Sequence, residues 1–469
     1  MNGVKEQQGF IDSRKIFMSR SCLAVILAAG DSSRMKSSKS KVLHTIGGLP
    51  IISHIVSTAA EIDIDHVSLV LGRDADKVRD TAAKTGVAVS AFLQESRQGT
   101  AHAVLQARDE ISKGYDDVLA LVGDAPLIQK EVLAELRKGL ADGADVVVAG
   151  FEADDPFGYG RMVVENGELV AIVEEKEATD AQRKITFCNG GLIAINGKIA
   201  LELIDQINND NIKGEYYLTD IVAVCQKLGK KSVAIVAPEG DLMGCNTRSE
   251  LAELESEWQN RKREELMLSG VTMIDPSSVY LSYDTKIAPD VLIEPNVWFG
   301  PGVEVAQYAK ILAFSHLEGA YVGEGASIGP FARLRPGADL GKSSKVGNFC
   351  EVKKSKIGEG SKINHLSYIG DSIVGEGANI GAGTITCNYD GYNKHRTEIG
   401  DNSFVGSNSS LIAPVKIGNN AFVGSGTVVN KDVPDNDLAV SRVPQVNVSG
   451  AGERIRKKNA AIKAAQSKK

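Results

Sequence analysis

Leu27-Ala28-Ala29-Gly30 closes an apolar run and is followed by Asp31-Ser32-Ser33-Arg34 and then Lys41. Small residues in a turn after a strand let backbone N–H groups approach phosphate oxygens or a base. Arg34 and Lys41 supply the positive charge that a polyphosphate needs. A plain strand–turn–helix corner uses the same residues, so both readings stand at this point. Gln94 and Gln98-Gly99-Thr100 follow another β-type run, where an amide and backbone groups can read a base edge. Val122-Gly123-Asp124 ends a third, and a carboxylate there suits Mg2+. A helix N-cap before Pro126 is the structural alternative for Asp124. Asn246, in Gly244-Cys245-Asn246-Thr247-Arg248, offers a second oxygen ligand. Together these residues could receive phosphates, a base and a divalent ion, with the structural alternatives still standing.

A second polar group lies far downstream. Arg333-Leu334-Arg335, Glu351-Val352-Lys353, Asn364-His365-Leu366-Ser367-Tyr368, Asn379-Ile380-Gly381-Ala382 and Asn388-Tyr389 interrupt an otherwise regular pattern. A histidine among such groups can serve as a base near neutral pH. His365 is the candidate; a solvated corner residue is its structural alternative.

The elements that must position these residues differ between the two halves. Residues 20–248 alternate β-type runs with amphipathic stretches. Strands are expected at 23–27, 66–71, 87–92, 118–122, 146–149, 191–195 and 232–236, with helices at 51–61, 101–111 and 131–139. That alternation predicts an α/β domain with a mostly parallel sheet, ligands binding outside the strands' carboxyl ends. Residues 249–270 read as a connector helix: Leu251, Leu254 and Trp258 share a face and Gly270 is a C-cap.

From 271 a period of six takes over. Apolar residues recur from Leu281 through Leu317, from Val322 through Val352, at Ile357, Ile363 and Ile369, at Val374 and Ile380, and from Ile399 through Val429. Such a period marks a parallel β-helix of hexapeptide repeats. The 24 positions make about eight three-sided coils. Glycine follows many of them, 23 glycines falling between 270 and 430 among 48 in 469 residues, and tight corners are the expected reason. The interruption between Ile380 and Ile399 is expected to be a functional loop.

Composition excludes several classes. Fifty-three Lys and Arg stand against 60 Asp and Glu, which argues against a dedicated nucleic-acid binder. Six cysteines without a CxxC pair suggest a reduced, cytoplasmic chain. The apolar run at 22–29 is far too short to span a membrane and continues into the Arg34 motif, against a signal peptide. Residues 1–19 read as a polar extension. Residues 453–469, with seven Lys or Arg and one Glu, read as a solvated, frayed tail, a coenzyme-phosphate contact from a neighbouring chain being the functional alternative.

The motifs Leu27-Ala28-Ala29-Gly30-Asp31-Ser32-Ser33-Arg34-Met35, Ser40-Lys41-Val42-Leu43-His44, Gln98-Gly99-Thr100, Gly158-Tyr159-Gly160-Arg161, Gly214 to Asp220 and Asn246-Thr247-Arg248 resemble the nucleotidyltransferase signature of sugar-1-phosphate uridylyltransferases. With the hexapeptide region, residues 20–448 resemble the bacterial bifunctional N-acetylglucosamine-1-phosphate uridylyltransferases/glucosamine-1-phosphate N-acetyltransferases. The resemblance implies a Rossmann-like domain followed by a left-handed β-helix. It implies that Leu27, Ala28, Ala29, Gly30 and Gly123 hold the nucleotide and that Gln94, Gly99 and Thr100 recognise uracil. Arg34 and Lys41 would stabilise the phosphates, Gly160, Glu174 and Asn189 would line the sugar pocket, and Asp124 and Asn246 would bind Mg2+. In the second domain, Arg335, Lys353, Tyr368 and Asn379 would bind glucosamine 1-phosphate and His365 would be the base. Ala382, Asn388, Tyr389, Ser407, Ser425 and Arg442 would face acetyl-CoA. A homotrimer is implied. The sequence departs from the family pattern at Asp31-Ser32-Ser33, at Asn189-Gly190-Gly191, at Asn364 and at Ser425.

Overall fold

The computed structural model describes residues 20–441 and 443–466. It divides into two compact units. The first runs through Glu265 and takes in Leu281–Tyr283; the second holds Leu266–Tyr280 and everything from Asp284 onwards.

The first unit is built on nine strands: β1 (Cys22–Ala28), β2 (His66–Leu71), β3 (Val89–Leu93), β4 (Asp117–Val122), β5 (Val146–Glu152), β6 (Arg161–Glu165), β7 (Glu168–Val173), β8 (Phe187–Asn196) and β9 (Ser232–Val236). Their order is β9-β5-β8-β4-β1-β2-β3, with β6 paired to β8 and β7. β1 runs parallel to β2 and β4, while β8 is antiparallel to both β4 and β5. Side chains alternate between two cores. Ala24, Ile26, Leu119 and Leu121 pack on one face, against helices that include Ile51–Ala60 and Lys130–Ala141. Leu23, Val25, Val118 and Ala120 pack on the other, with Val104, Leu203 and Val222. A period of two on a sheet covered on both faces yields the continuous apolar runs read in the sequence. All seven expected strands form. The β6–β7 hairpin was not expected, although Asn166-Gly167, both at positive φ, is a strong hairpin-turn signal.

The connector is a single helix, Arg248–Leu268, and Gly270 ends it at φ +101°. It is more than a linker. Leu254 is fully buried in the first core, with Leu251 and Trp258 packed against it, and Gln259 exchanges hydrogen bonds with the backbone of Leu281.

The second unit is a left-handed parallel β-helix whose strands line up in sheets of ten, eight and eight. All 24 apolar hexad positions are at most 8 % exposed. The expected reason, tight corners, holds for 11 of the 23 glycines between 270 and 430, which have positive φ; the others need a different one. Where glycine directly follows the apolar residue, φ is positive only at Gly329 (+100°); at most of the others coil-to-coil contact is what excludes a side chain. A Cβ on Gly358 would lie 2.4 Å from the carbonyl carbon of Gly375. Several tight corners, by contrast, carry bulky residues at positive φ, among them Phe331 and Phe349, with their rings stacked 5.3 Å apart.

The basic tail is not frayed: Ala451–Gln466 forms a helix, exposed along nearly all its length. Residues 1–19 lie outside the described residues. Among the described residues, no helix is long and apolar enough to cross a membrane.

Candidate active sites

In the first unit, the carboxyl ends of β1, β3 and β4 open into a cavity of about 780 Å³. Of the expected residues, Leu27, Ala28, Ala29, Gly30, Lys41, Gln94, Gly99, Thr100, Asp124, Glu174 and Asn189 line it. Arg97, Lys213 and Glu177 also line it and no motif marks them; Tyr217 lines it too, from within the Gly214 to Asp220 motif, where no role is expected of it. Two glycines are fixed by close approach. Gly99 has φ +111°, and a Cβ there would fall 2.3 Å from the Tyr216 carbonyl oxygen. At Gly123 a Cβ would fall 2.6 Å from the Leu27 oxygen, which accepts the Gly123 N–H at 2.9 Å. Thr100 has a local duty: its hydroxyl accepts the Leu218 N–H at 2.8 Å.

Lys41 organises the charged end. Its ammonium is paired with the Asp124 carboxylate and lies 3.0 Å from Asn246 Oδ1. Arg34 donates to the same Asn246 oxygen at 2.9 Å. Two hard oxygens from distant segments thus converge on one point, which the Lys41 ammonium occupies. Among the described residues no cluster of three or more His, Cys, Asp or Glu forms. Asp31, the departure that adds negative charge, is met by Arg97 Nη1 at 2.7 Å.

On the sugar side, a Cβ on Gly160 would stand 3.6 Å from Glu174 Oε1 and 3.7 Å from Asn189 Cβ, so the three expected residues meet. Burial pushes the Glu174 carboxyl up, against the opposing pull of Lys213; burial also raises Asp220.

In the second unit, periodicity builds the site. His365, Ala382, Ser407 and Ser425 each stand two residues after an inward residue of one sheet: Ile363, Ile380, Val405 and Val423. Their carbonyls stack in register: Gly383, Asn408 and Gly426 donate to those of His365, Ala382 and Ser407 at 3.1, 2.8 and 2.7 Å. The base candidate and three expected coenzyme residues therefore form one column. Asn348 heads it, its Oδ1 2.6 Å from His365 Nδ1. Since an amide oxygen only accepts, Nδ1 carries the proton, and in the neutral ring the lone pair is then on Nε2. Sequence reading missed Asn348, although a coil repeat of 17 residues places it beside His365.

The adjacent sheet carries the cationic group. Arg333, Glu351, Tyr368 and Ile385 occupy successive rungs. Arg335 donates to Glu351 at 2.8 Å, and this pair raises its guanidinium pKa. Lys353 pairs with Gly370 in the next rung. Asn388 donates to Asp371 and lies 3.4 Å from the Tyr368 hydroxyl. The inserted loop is locally closed: Asp390 accepts from the Tyr392 and Asn393 N–H groups and pairs with His395 at 2.6 Å. Those contacts hold its carboxyl far below the usual range. Lys394 lies 4.4 Å over the Tyr389 ring. Asn379 sits between Lys362 and Phe404 in the His365 sheet. Arg442 lies outside the described residues.

Two folds, each with its own cluster of polar groups, set the terms for comparison with known proteins. The MobA-like NTP transferase domain profile matches residues 24–186, and the six-repeat bacterial transferase hexapeptide profile matches residues 396–431. A bifunctional protein GlmU from Agrobacterium fabrum is 59 % identical over 451 residues, covering 96 % of this chain and 100 % of the relative. One from Sinorhizobium fredii is 59 % identical over 96 % of this chain and 99 % of its own length, and one from Allorhizobium ampelinum 60 % over 95 % and 99 %. The chain belongs to the bifunctional GlmU family. It is a two-activity transferase, a nucleotidyltransferase joined to a hexapeptide-repeat acetyltransferase. Its reactions are those of GlmU: acetylation of glucosamine 1-phosphate by acetyl-CoA, then uridylyl transfer from UTP to the product.

Proposed function

We propose a division of labour between the units. Residues 20–248, completed by the Arg248–Leu268 helix, carry uridylyl transfer, and residues 271–448 carry acetyl transfer. The observation that carries the first assignment is the convergence of Asp124 and Asn246 on one cationic point beside the cavity. Leu27 to Gly30 and Gly123 receive the nucleotide through backbone groups, with Gln94 and Gly99 at the base. Gly160, Glu174 and Asn189 receive the sugar. Asp124 and Asn246 hold Mg2+, which supplies charge neutralisation to the phosphates. Lys41 and Arg34 share that charge. The sugar phosphate oxygen attacks the α-phosphorus of UTP in line, a new P–O bond forms, and the bond to pyrophosphate breaks.

In the β-helix, Arg335 and Lys353 meet the phosphate of glucosamine 1-phosphate, with Tyr368 and Asn379 against the sugar. His365 Nε2 takes a proton from the amine as nitrogen bonds to the thioester carbonyl carbon; the C–S bond breaks and coenzyme A leaves. Ala382, Ser407 and Ser425 line the coenzyme's path below the base, with Asn388 and Tyr389 on the adjacent face. Arg442 is assigned to the coenzyme on the family resemblance. The enzyme works in the cytoplasm as a homotrimer.

Incubation with glucosamine 1-phosphate, acetyl-CoA, UTP and Mg2+, omitting each in turn, tests both steps by mass analysis. Omitting acetyl-CoA is expected to abolish the UDP-sugar unless N-acetylglucosamine 1-phosphate is supplied. Chelating Mg2+ is expected to stop pyrophosphate release and leave acetylation intact. Acetylation that stopped on chelation would overturn the metal assignment.

A further inference from the structure

Gln94 follows β3 and is only 6 % exposed, yet it lines the nucleotide cavity. Its Nε2 donates to the Gly99 carbonyl at 3.3 Å and stands 3.0 Å from His102 Nδ1. The Gly99 carbonyl can only accept, so the amide nitrogen is the atom held between Gly99 and His102, and Oε1 is the atom left for a ligand in the cavity. The 3.3 Å contact alone is a weak hold. The imidazole provides the second acceptor, and with both amide hydrogens engaged Gln94 offers the cavity an acceptor only.

We infer that His102, which does not line the cavity, is a positioning residue that sets base specificity by locking the Gln94 amide. This rests on the reading of Gln94 as the base contact. A base that presents an N–H at N3, as uracil does, meets Oε1 productively. Cytosine presents a lone pair at the same place, and two acceptors face each other. Sites built around such a buried polar group reject a mismatched partner far more strongly than apolar pockets do.

The ring has a competitor. Gln106 donates to the His102 carbonyl at 2.9 Å and brings the same Nε2 within 3.2 Å of His102 Nε2. Were Gln106 to donate to the ring as well, Nδ1 would carry the proton. Gln94 would then reverse and show the cavity a donor. The inference therefore requires the ring proton on Nε2, and Gln106 must not dictate the tautomer.

The test measures kcat/KM for UTP and for CTP, with N-acetylglucosamine 1-phosphate, in the full-length enzyme and in Gln94→Ala, His102→Leu, His102→Gln and Gln106→Leu. His102→Leu is expected to lower the UTP/CTP ratio about tenfold or more, the worth of one hydrogen bond. KM for the sugar phosphate and the acetyl-transfer rate of the same polypeptide should not move. His102→Gln, whose side-chain oxygen can accept in place of Nδ1, should restore part of the ratio. Gln106→Leu should leave the ratio unchanged or raise it. A tenfold fall in Gln106→Leu would overturn the inference, and that variant reports even if His102→Leu does not fold. Collapse of the ratio in Gln94→Ala with none in His102→Leu would also overturn it, while sparing the base-contact reading. An unchanged ratio in Gln94→Ala would instead defeat the reading of Gln94 itself.

Discussion

The two units build their sites by opposite means. In the α/β unit, groups far apart in sequence meet where strands end: Lys41, Asp124 and Asn246 come from three separate segments. Close backbone approach fixes the loops, as at Gly99 and Gly123. In the β-helix, the site is a consequence of repetition. One residue per coil, taken at the same position, gives Asn348, His365, Ala382, Ser407 and Ser425 in line. In the first arrangement burial raises the Glu174 carboxyl; in the second His365 is exposed and is oriented by its bond to Asn348.

The sharpest break in that comparison is a crossed pair of substitutions. His365→Ala is expected to cut acetyl transfer roughly 10²- to 10⁴-fold, the usual range for a general base. Pyrophosphate release from UTP should be unaffected. Asp124→Ala should do the reverse, losing most uridylyl transfer while acetylation continues. Assaying both reactions on each variant checks this; a variant that disables both would show that the units are not independent.

Stability separates the units next. Ile363, fully buried, belongs to the coil that carries His365. Ile363→Ala is expected to cost about 2–5 kcal/mol. In a stacked array each coil contacts chiefly its neighbours, so the loss should fall on the β-helix. Calorimetry should show one transition moving down, with acetyl transfer lost at a lower temperature than uridylyl transfer.

Legibility in the sequence follows the same divide. The hexad positions could be read off directly because each faces inward once per turn, and every one is buried. Asn348 was legible by the same rule, since a residue one coil above His365 must touch it. The α/β site was legible only where a motif marks it. Arg97 and Lys213 reach the cavity through tertiary folding that no local period encodes. The connector helix reads as a linker because its apolar stripe is short; its packing against the first core depends on contacts with distant elements.

Asn348→Ala sharpens the column argument. As His365 takes its proton, the bond from Nδ1 to Asn348 becomes charge-assisted, worth about 1.5–3 kcal/mol. Acetyl transfer should fall about 10- to 100-fold in kcat, with KM for acetyl-CoA little changed. Asn348→Asp should retain more activity, because a carboxylate still accepts. A larger change in KM than in kcat would make Asn348 a binding group rather than an orienting one.

Glu174 tests the burial that distinguishes the first site. Its carboxyl is raised, so the folded state holds that proton more tightly than the unfolded chain does. Its contribution to stability is present at low pH and lost as pH rises through the folded value. Glu174→Gln, neutral throughout, should therefore stabilise the first unit at neutral pH, and the gain should vanish in acid. Melting temperatures across pH 4 to 8, about the span of ordinary carboxylate and neutral conditions, check the sign. The same variant should raise KM for the sugar phosphate.

The smallest effect belongs to Asp31, where the sequence alone suggests a charge that repels phosphate. Its carboxylate is 65 % exposed and paired with Arg97, itself 45 % exposed. An exposed pair of this kind contributes about 0–1 kcal/mol and is screened by salt. Asp31→Ser should leave stability within that range. Its effect on the nucleotide has one sign: removing the carboxylate takes away a negative charge and frees the Arg97 guanidinium at the cavity wall, and both changes favour an anion. KM for UTP should fall by a few-fold at most, and the gain should fade as ionic strength rises past about 0.15 M, where the screening length is near 8 Å. A rise in KM would mean that the pair holds the 94–99 segment in place, making Asp31 a structural part of the base-reading loop.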